Sequence, residues 1–334
     1  MLARLYGVKL LVLNCHEAWV HQLGALDAEL DIVVALPGRY TADWDTHMRP
    51  VPANARLTTL EAVLDAGARY DCVINHNITD LLDTKSIAAP KLLVLHETLE
   101  GRMAQQDADF DPRDMRAMLN TYLASVGGHA IAISRMKARS WGVTHAVVQN
   151  SADPESYVPH TGELACGLRV ANHVTSKRVF LAWDFYAAAL DGLPMKLVGH
   201  NPDMPNVHAS ASWDDLKADF ARHRFYVHTA DPRYEDGFNM AMLEAMAAGL
   251  PVLTNRHPTT IVEHGRTGYV CDTPDAMRRH AQTLLDNPAL AAELGERAQY
   301  AVRTSFSPMR FKVEFTRAIS EAKKKWSRRA KAVV

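Results

Sequence analysis

Short apolar runs without polar alternation recur along this chain of 334 residues. Strands that are buried on both faces have this pattern, and parallel sheets covered by helices contain such strands. Helical patterns separate several runs, for example at 59–68 and 113–126, and so give strand–helix–strand units. The predicted strands are 9–14, 31–36, 71–75, 91–95, 130–133 and 146–149, then 168–171, 195–198, 225–228, 252–254 and 269–271. The sequence therefore predicts an α/β chain with parallel sheets.

A loop-rich stretch at 150–162 separates the two series of predicted strands. A chain of this length is long enough for two separate cores. We expect an N-terminal domain over 1–155, a second domain over 156–306, and a helix with a basic tail over 307–334 that packs back towards the first domain. The second domain also contains helical patterns at 274–287 and 288–304.

Composition excludes several classes of protein. Lys and Arg total 37 and Asp and Glu total 38, so no overall field favours a nucleic-acid or membrane partner. The 4 cysteines form no C-x-x-C pair and are expected to be free thiols. The apolar run at 10–13 is much shorter than a signal-peptide core, so we expect a cytoplasmic protein.

One group of histidines is similar to a metal-binding motif. His16, Glu17 and His21 resemble H-E-x-x-H, but the two histidines are five positions apart instead of four. No other ligand cluster is evident among the histidines of the sequence. We therefore expect no metal.

The stretch 234–252 combines an acidic loop, a helix of small residues and a strand. The predicted helix runs over 239–248, with Gly249 and Pro251 as stop signals. Glu244 lies within its apolar run, where a carboxylate needs a partner. Such a carboxylate is suited to accept hydrogen bonds from a bound ligand, and a structural carboxylate bonded to backbone amides is the alternative.

These residues resemble the signature of the retaining, nucleotide-sugar-dependent glycosyltransferases of group 1. The matching segments are Asp236-Gly237-Phe238, Glu244-Ala245-Met246-Ala247 and Gly249-Leu250-Pro251-Val252, with Gly265 to Val270 similar to the next segment of that family. The similarity extends over about 128–320 and also includes 130–134 and 150–157. It implies the GT-B fold, in which two Rossmann-like domains face each other across a cleft and C-terminal helices close the assembly.

The resemblance also implies roles for residues of the second domain. Glu244 would bind the ribose of the donor, and Asp236, or its neighbour Glu235, would bind hydroxyls of the transferred sugar. Lys177 would neutralise the leaving diphosphate. The donor would be oriented by backbone amides around Gly237, Phe238 and Asn239.

Asn172 stands where this family usually has an arginine before the lysine, and Arg256 is our candidate to replace that arginine. In the first domain, His96 follows a predicted strand and would face the donor sugar. His16 and Glu17 could line the acceptor side. A solvated loop arginine and structural histidines are the alternatives.

The implied reaction transfers a sugar from a nucleotide diphosphate sugar, with retention of configuration and without a cofactor or metal. The acceptor is left open among a glycan, a lipid-linked molecule, a protein or a nucleic acid. The departures at Asn172, Asp236 and Arg256-His257 leave activity open. Those at Asn172 and Arg256-His257 favour, as one alternative, a non-catalytic relative that binds a sugar nucleotide or a partner. The other alternative is an isomerase resembling nucleotide-sugar epimerases, which share the architecture.

The segment Lys323 to Lys331 is strongly basic. It could contact an anionic membrane, as a peripheral protein at the inner membrane face, or nucleic acid. A solvated helix end is the alternative.

Overall fold

The computed structural model describes residues 7–38, 43–143 and 146–332. Within these ranges the chain forms two compact units. The first comprises Met1–Asn150 and Pro308–Val334, and the second comprises Ser151–Ser307. The first unit thus ends five residues before the expected boundary at 155, and it includes the helix that follows Pro308.

The described part of the first unit contains a six-stranded sheet in the order β3-β2-β1-β4-β5-β6. Neighbouring strands are parallel throughout this order. Its strands are β1 (Val8–Leu13), β2 (Ala28–Val33), β3 (Ala55–Thr58), β4 (Cys72–Asn75), β5 (Lys91–Leu95) and β6 (His129–Ala132). Its helices are α1 (Glu17–His21), α2 (Leu60–Asp65), α3 (Ile78–Asp83), α4 (Leu99–Gln106), α5 (Pro112–Val126) and α6 (Arg135–Trp141), together with the last helix of the chain, α12 (Pro308–Ala332).

Several helices of this unit begin at a side chain that accepts a hydrogen bond from the first turn, as expected for N-cap residues. The capping residues are Thr59, Asn77, Thr98, Asp111 and Ser134. These caps place the helix starts immediately after strand ends or loops. The α12 helix buries Phe311 and Phe315 completely and packs against β4, β5 and β6.

The described part of the second unit contains a five-stranded sheet in the order β11-β10-β9-β7-β8, again with parallel neighbours. Its strands are β7 (Leu164–Val170), β8 (Met195–Val198), β9 (His223–His228), β10 (Val252–Asn255) and β11 (Gly268–Cys271). Its helices are α7 (Trp183–Leu190), α8 (Trp213–Arg222), α9 (Met240–Ala247), α10 (Pro274–Asp286) and α11 (Pro288–Ser305).

Each sheet has a point where the strand order reverses, between β1 and β4 in the first unit and between β7 and β9 in the second. In open α/β sheets, ligands bind beyond the carboxyl ends of the strands at this point. The loops after these strands are therefore the places where a site is expected.

The predicted strands and helices overlap most of those in the structure. Strand β2 lies three residues earlier than the predicted 31–36, and β7 begins four residues before the predicted 168–171. Three further differences concern whole elements or a helix end. Strand β3 was not predicted, because its four residues are partly exposed and do not form an apolar run. The predicted strand at 146–149 forms only an isolated bridge between Ala132 and Val147. Helix α12 continues to Ala332 instead of ending near 326. Among the described helices, none is long and apolar enough to cross a membrane.

Asp31 on β2 is a buried carboxylate in the first unit, with only 3% of its side chain exposed. It accepts hydrogen bonds from Arg56 at 2.5 and 2.9 Å and from the Tyr70 hydroxyl at 2.7 Å, and Lys9 Nζ lies 3.1 Å away. Burial by itself would raise the pKa of Asp31, but the hydrogen bonds from Arg56, Tyr70 and Lys9 lower it to about 2. The charged form of Asp31 therefore stabilises the folded first unit.

We predict that Asp31→Asn lowers the free energy of unfolding by about 2 kcal/mol at pH 7, because a shift of nearly two pKa units corresponds to an energy of that size. The folded pKa is depressed, so this stabilisation is present above the unfolded pKa of about 4 and is lost as the pH falls towards 2. Denaturant unfolding at pH 7 and at pH 3 would measure it. The exposed Asp65→Asn is the matched control, and equal stability of Asp31→Asn and wild type at pH 7 would contradict the assignment.

Candidate functional site

Glu244 lies on α9, in the second unit, and is 6% exposed. The helix begins at Asn239, whose side chain accepts a hydrogen bond from the Met242 amide at 2.9 Å. It packs against β9, β10 and α11. Tyr226 on β9 lies close enough to be affected by Glu244, since burial raises the pKa of its hydroxyl and the Glu244 charge raises it further. The structure therefore places a carboxylate in the interior, beside the strand that borders the reversal point.

Asp236 precedes this helix and is also buried, at 1% exposed. Thr259 donates a hydrogen bond to its carboxylate at 3.4 Å and accepts one from the Gly237 amide at 2.9 Å. The amide of Asp236 donates to the side chain of Glu235, which is half-buried. Asp236 and Glu235 thus belong to one loop, which is held in place by a hydrogen bond of its own and by hydrogen bonds to Thr259 of the loop after β10.

His257 braces the same loop, a role that the sequence did not reveal. Its Nε2 donates to the Glu235 carbonyl at 2.9 Å, and its Nδ1 accepts from the Thr259 amide at 3.1 Å. These partners define a neutral ring protonated at Nε2. Burial lowers the pKa of His257, in agreement with that state. At this departure from the family pattern, His257 therefore has a structural function.

Gly237 is required at the closest approach in this loop. A Cβ at this position would lie 2.6 Å from His257 Nδ1 and 2.7 Å from the Thr260 amide nitrogen. The Gly237 amide already donates to Thr259, whereas Phe238 is buried with its ring 6.1 Å from that of Phe306. The Gly237 amide is one of the backbone amides predicted to orient a donor. In the structure it already donates its hydrogen bond to another residue of the protein.

The loop after β7 carries Asn172 and Lys177. Asn172 Oδ1 accepts a hydrogen bond from the His200 amide at 2.9 Å and so joins this loop to the one after β8. Lys177 lies in the turn before α7 and is half-buried. The pKa of His173 is lowered mainly by burial and, to a smaller extent, by the nearby charge of Lys177. Across the ranges that the structure describes, the Lys177 ammonium forms no ion pair. It is therefore available to an anionic ligand.

Arg256 follows β10 and is mostly exposed. Its Nε and one terminal nitrogen contact the two carboxylate oxygens of Asp272, the second contact at 3.0 Å. The Nε edge of the guanidinium, which could hold a phosphate through two N–H groups, is thus already occupied by a carboxylate.

Arg169 on β7 was not singled out from the sequence, although a charge inside the apolar run at 168–171 was a usable signal. It is 2% exposed and donates to Thr229 Oγ1 at 2.8 Å and to the Leu181 carbonyl at 3.0 Å. Its guanidinium lies over the rings of Tyr186 and Trp183, 4.5 and 5.1 Å from their centres. Burial lowers its pKa to about 10. Arg169 connects the loops that follow β7 and β9, on either side of the reversal point.

In the first unit, His96 follows β5, and the structure brings it next to His76, which follows β4. Their Nε2 and Nδ1 atoms are 2.9 Å apart. The Cys15 sulfur, after β1, is 4.0 Å from His96 Nε2. The expectation that the histidines form no ligand cluster is therefore wrong. The sequence did not reveal it because these residues are 20 and 81 positions apart and meet only at the carboxyl edge of the sheet.

Burial lowers the pKa of His76 to about 3, and it also lowers the pKa of His96 well below its usual value. Both imidazoles are thus neutral at pH 7. Trp19 contacts both rings edge-on, at centre distances of 4.9 and 4.8 Å, and its indole nitrogen donates to Asn150 at 3.1 Å. Trp19 thereby holds the histidine pair against the sheet.

His16 and Glu17 begin α1 directly after β1. His16 is half-buried, and its carbonyl accepts from the amides of Trp19 and Val20. Glu17 is fully buried and accepts from Asn14 at 3.0 Å and from the Asp45 amide at 3.4 Å. The side chain predicted to line an acceptor site is thus enclosed within the first unit.

The basic segment at 323–331 lies on the last turns of α12. Lys323 pairs with Asp71 at 2.6 Å, and Arg329 lies 5.4 Å from the ring centre of Trp326. The remaining cations of the segment are exposed: Lys324, Lys325, Arg328 and Lys331. This segment is a helical surface that is anchored at one end.

Comparisons with known proteins match part of the second unit to one described family. Residues 191–287 match the family described as glycosyl transferases group 1. N-acetyl-alpha-D-glucosaminyl L-malate synthase of Bacillus anthracis is 34% identical over 76 residues, which are 22% of this chain and 20% of that protein. The chain thus matches about a fifth of the length of this curated relative.

Solved structures resemble the whole chain more extensively. Anabaena HepE in complex with UDP and glucose has a TM-score of 0.67 at 15% identity, over 94% of this chain and 99% of HepE. Sucrose-phosphate synthase of Thermosynechococcus elongatus has a TM-score of 0.64 at 14% identity, over 93% and 98%. The chain has the α/β GT-B fold, and residues 191–287 of its second unit match the glycosyl transferases group 1 family.

Proposed function

We propose that this protein is a glycosyltransferase that transfers a sugar from a nucleotide diphosphate sugar to an acceptor, with retention of configuration. The observation that carries the proposal is the pair of buried carboxylates at Asp236 and Glu244, one in the loop before α9 and one on that helix. The family match covers this part of the chain. Buried carboxylates suit recognition of hydroxyl-rich ligands because charge-assisted hydrogen bonds are strong.

In this proposal each carboxylate has one role. Glu244 accepts hydrogen bonds from the ribose hydroxyls, and Asp236 accepts them from the transferred sugar. Glu235 is the secondary candidate for the sugar, since its side chain accepts the Asp236 amide. The loop needs little reorganisation to bind a donor, because His257 and Thr259 already fix its backbone.

Lys177 is the proposed ligand of the diphosphate. As the bond to the sugar breaks, negative charge accumulates on the leaving group, and a fixed cation stabilises it. Lys177 is half-buried beside the reversal point and forms no ion pair within the described ranges. Arg256 is the weaker candidate because Asp272 already binds its guanidinium. The proposed reaction uses no metal in the second unit.

We propose a uridine diphosphate sugar as the donor. Two structural relatives support this: HepE is described in complex with UDP-glucose, and TarM of S. aureus in complex with UDP. The first unit would supply the acceptor side, with His96 as a neutral hydrogen-bonding group. The exposed cations of α12 would hold the enzyme to an anionic surface when the acceptor is lipid-linked.

Release of UDP from UDP-glucose in the presence of candidate acceptors tests the activity. Turnover that needs an acceptor supports a transferase. Conversion of the donor sugar without an acceptor would support the isomerase, and donor binding without turnover would support a non-catalytic relative.

We predict that Glu244→Gln weakens binding of UDP-glucose by more than about tenfold, because a hydrogen bond to a charged group contributes roughly 1.5–3 kcal/mol. Calorimetric titration measures the affinity. Glu296→Gln, on the exposed face of α11, is the matched control and should bind as the wild type does. Unchanged affinity in Glu244→Gln would remove the central assignment.

We further predict that Lys177→Met weakens binding of UDP by about tenfold or more while binding of uridine stays within about twofold, because only UDP carries the diphosphate charge. Arg256→Met should retain nearly all of the UDP affinity, since its guanidinium is paired with Asp272. Parallel titrations of both ligands measure the difference. A larger loss in Arg256→Met than in Lys177→Met would reverse the two roles.

A further inference from the structure

The cluster of Cys15, His76 and His96 is not explained by the donor site, because it lies in the first unit. Each residue offers one ligand atom, and these three atoms lie within 4.8 Å of one another. Within residues 7–38, 43–143 and 146–332, it is the one group of histidine, cysteine or carboxylate side chains with this property. The residues come from the ends of three adjacent strands, β1, β4 and β5.

Two of the three distances between ligand atoms are close to those of a tetrahedral zinc site. Bonds of about 2.0 Å to nitrogen and 2.3 Å to sulfur place neighbouring ligand atoms roughly 3.3–3.6 Å apart. The two histidine nitrogens are 2.9 Å apart, and the Cys15 sulfur is 4.0 Å from the nearer one. Side-chain rotations that move these atoms by a few tenths of an ångström would bring the two distances to the values of a metal site. The ligand atoms of His76 and Cys15 lie within 4.8 Å of each other.

One hydrogen-bonding atom of the cluster has no partner, and few hydrogen bonds would be lost if the His76 ring rotated. His76 Nε2 is buried and has no hydrogen-bond partner in the described part of the protein. The hydrogen bond that the His76 ring makes is the one to His96, so the ring can turn without breaking another. Trp19 packs against both rings through its edge contacts and leaves the nitrogen atoms free to face each other and the sulfur.

The surrounding charges favour a cation on balance. The buried carboxylates of Asp80 and Glu17 lie near Cys15 and, after the larger effect of burial, raise the pKa of its thiol. Lys137 is the lysine near His96, whose pKa burial lowers most. A thiolate with two neutral imidazoles is a donor set that selects Zn²⁺ and similar ions over Mg²⁺ or Ca²⁺. Cys15 and His96 are half-buried, so a fourth position can be filled by water.

We propose that Cys15, His76 and His96 form a binding site for a divalent transition-metal ion of the Zn²⁺ class. On binding, the Cys15 thiol releases its proton to solvent and the sulfur bonds to the ion, while each histidine contributes one neutral nitrogen. Under the proposed function, a bound ion would withdraw His96 from contact with substrate. The binding itself is independent of that function, so the failure of one leaves the other intact.

The test is titration of the metal-free, reduced full-length protein with Zn²⁺, followed by Co²⁺ as a spectroscopic probe. We expect one tight site per chain, and thiolate-to-cobalt absorption in the near ultraviolet. Cys15→Ser and His96→Gln should each weaken Zn²⁺ binding by more than about tenfold, since even loss of an outer-shell partner costs that much. Cys15→Ser should also abolish the thiolate absorption.

Cys166→Ser is the matched control, because Cys166 is a half-buried free thiol of the second unit. It should retain both the affinity and the absorption. Thermal unfolding of each variant without metal shows that the fold is preserved. Absence of a tight site in the wild type, or equal affinity in wild type and Cys15→Ser, would overturn the proposal.

Discussion

Parallel pairing of buried strands is the constraint on which the rest of this structure depends. Each sheet pairs its strands in one direction, so every connection must cross over a face of the sheet and return to the same edge. All carboxyl ends in a sheet therefore lie together. Side chains that are 20 or 81 positions apart in sequence, such as those of His76, His96 and Cys15, become neighbours for this reason.

The same constraint explains what the sequence could reveal. Most strands could be predicted from continuous apolar runs such as Lys91–Leu95, because a strand that is buried on both faces has apolar side chains at nearly every position. The helix that carries Glu244 was predicted within one residue, because Asn239 at its start and Gly249 at its end are strong local signals. Strand β3 was missed because an edge strand that is partly exposed has no such pattern.

The site could be predicted only in part. The positions of Asp236, Glu244 and Lys177 in the fold follow from the local motif and its resemblance to a family. The bracing of the loop by His257 and Thr259 depends on the pairing of β9 with β10, which brings two loops side by side. The burial of Arg169 depends on α7 covering its strand with Tyr186 and Trp183. Neither arrangement is encoded within one segment of sequence.

In the first unit, Trp19 also contacts residues that are far apart in the sequence. Its ring contacts the rings of His76 and His96. The centre of its ring also lies 6.4 and 6.1 Å from the ring centres of Phe311 and Phe315, which are on α12. The support of the histidine pair thus includes a helix nearly three hundred positions later in the sequence. This contact makes the first unit discontinuous along the chain.

That discontinuity has a consequence for biosynthesis. When translation has passed Ser307, the ribosome has supplied every residue of the second unit, but the first unit still lacks the helix that buries Phe311 and Phe315. Domains generally fold as units while the chain is being made. Here the unit that is begun first is the one completed last, and the apolar surface over β4, β5 and β6 stays uncovered until the final helix leaves the exit tunnel.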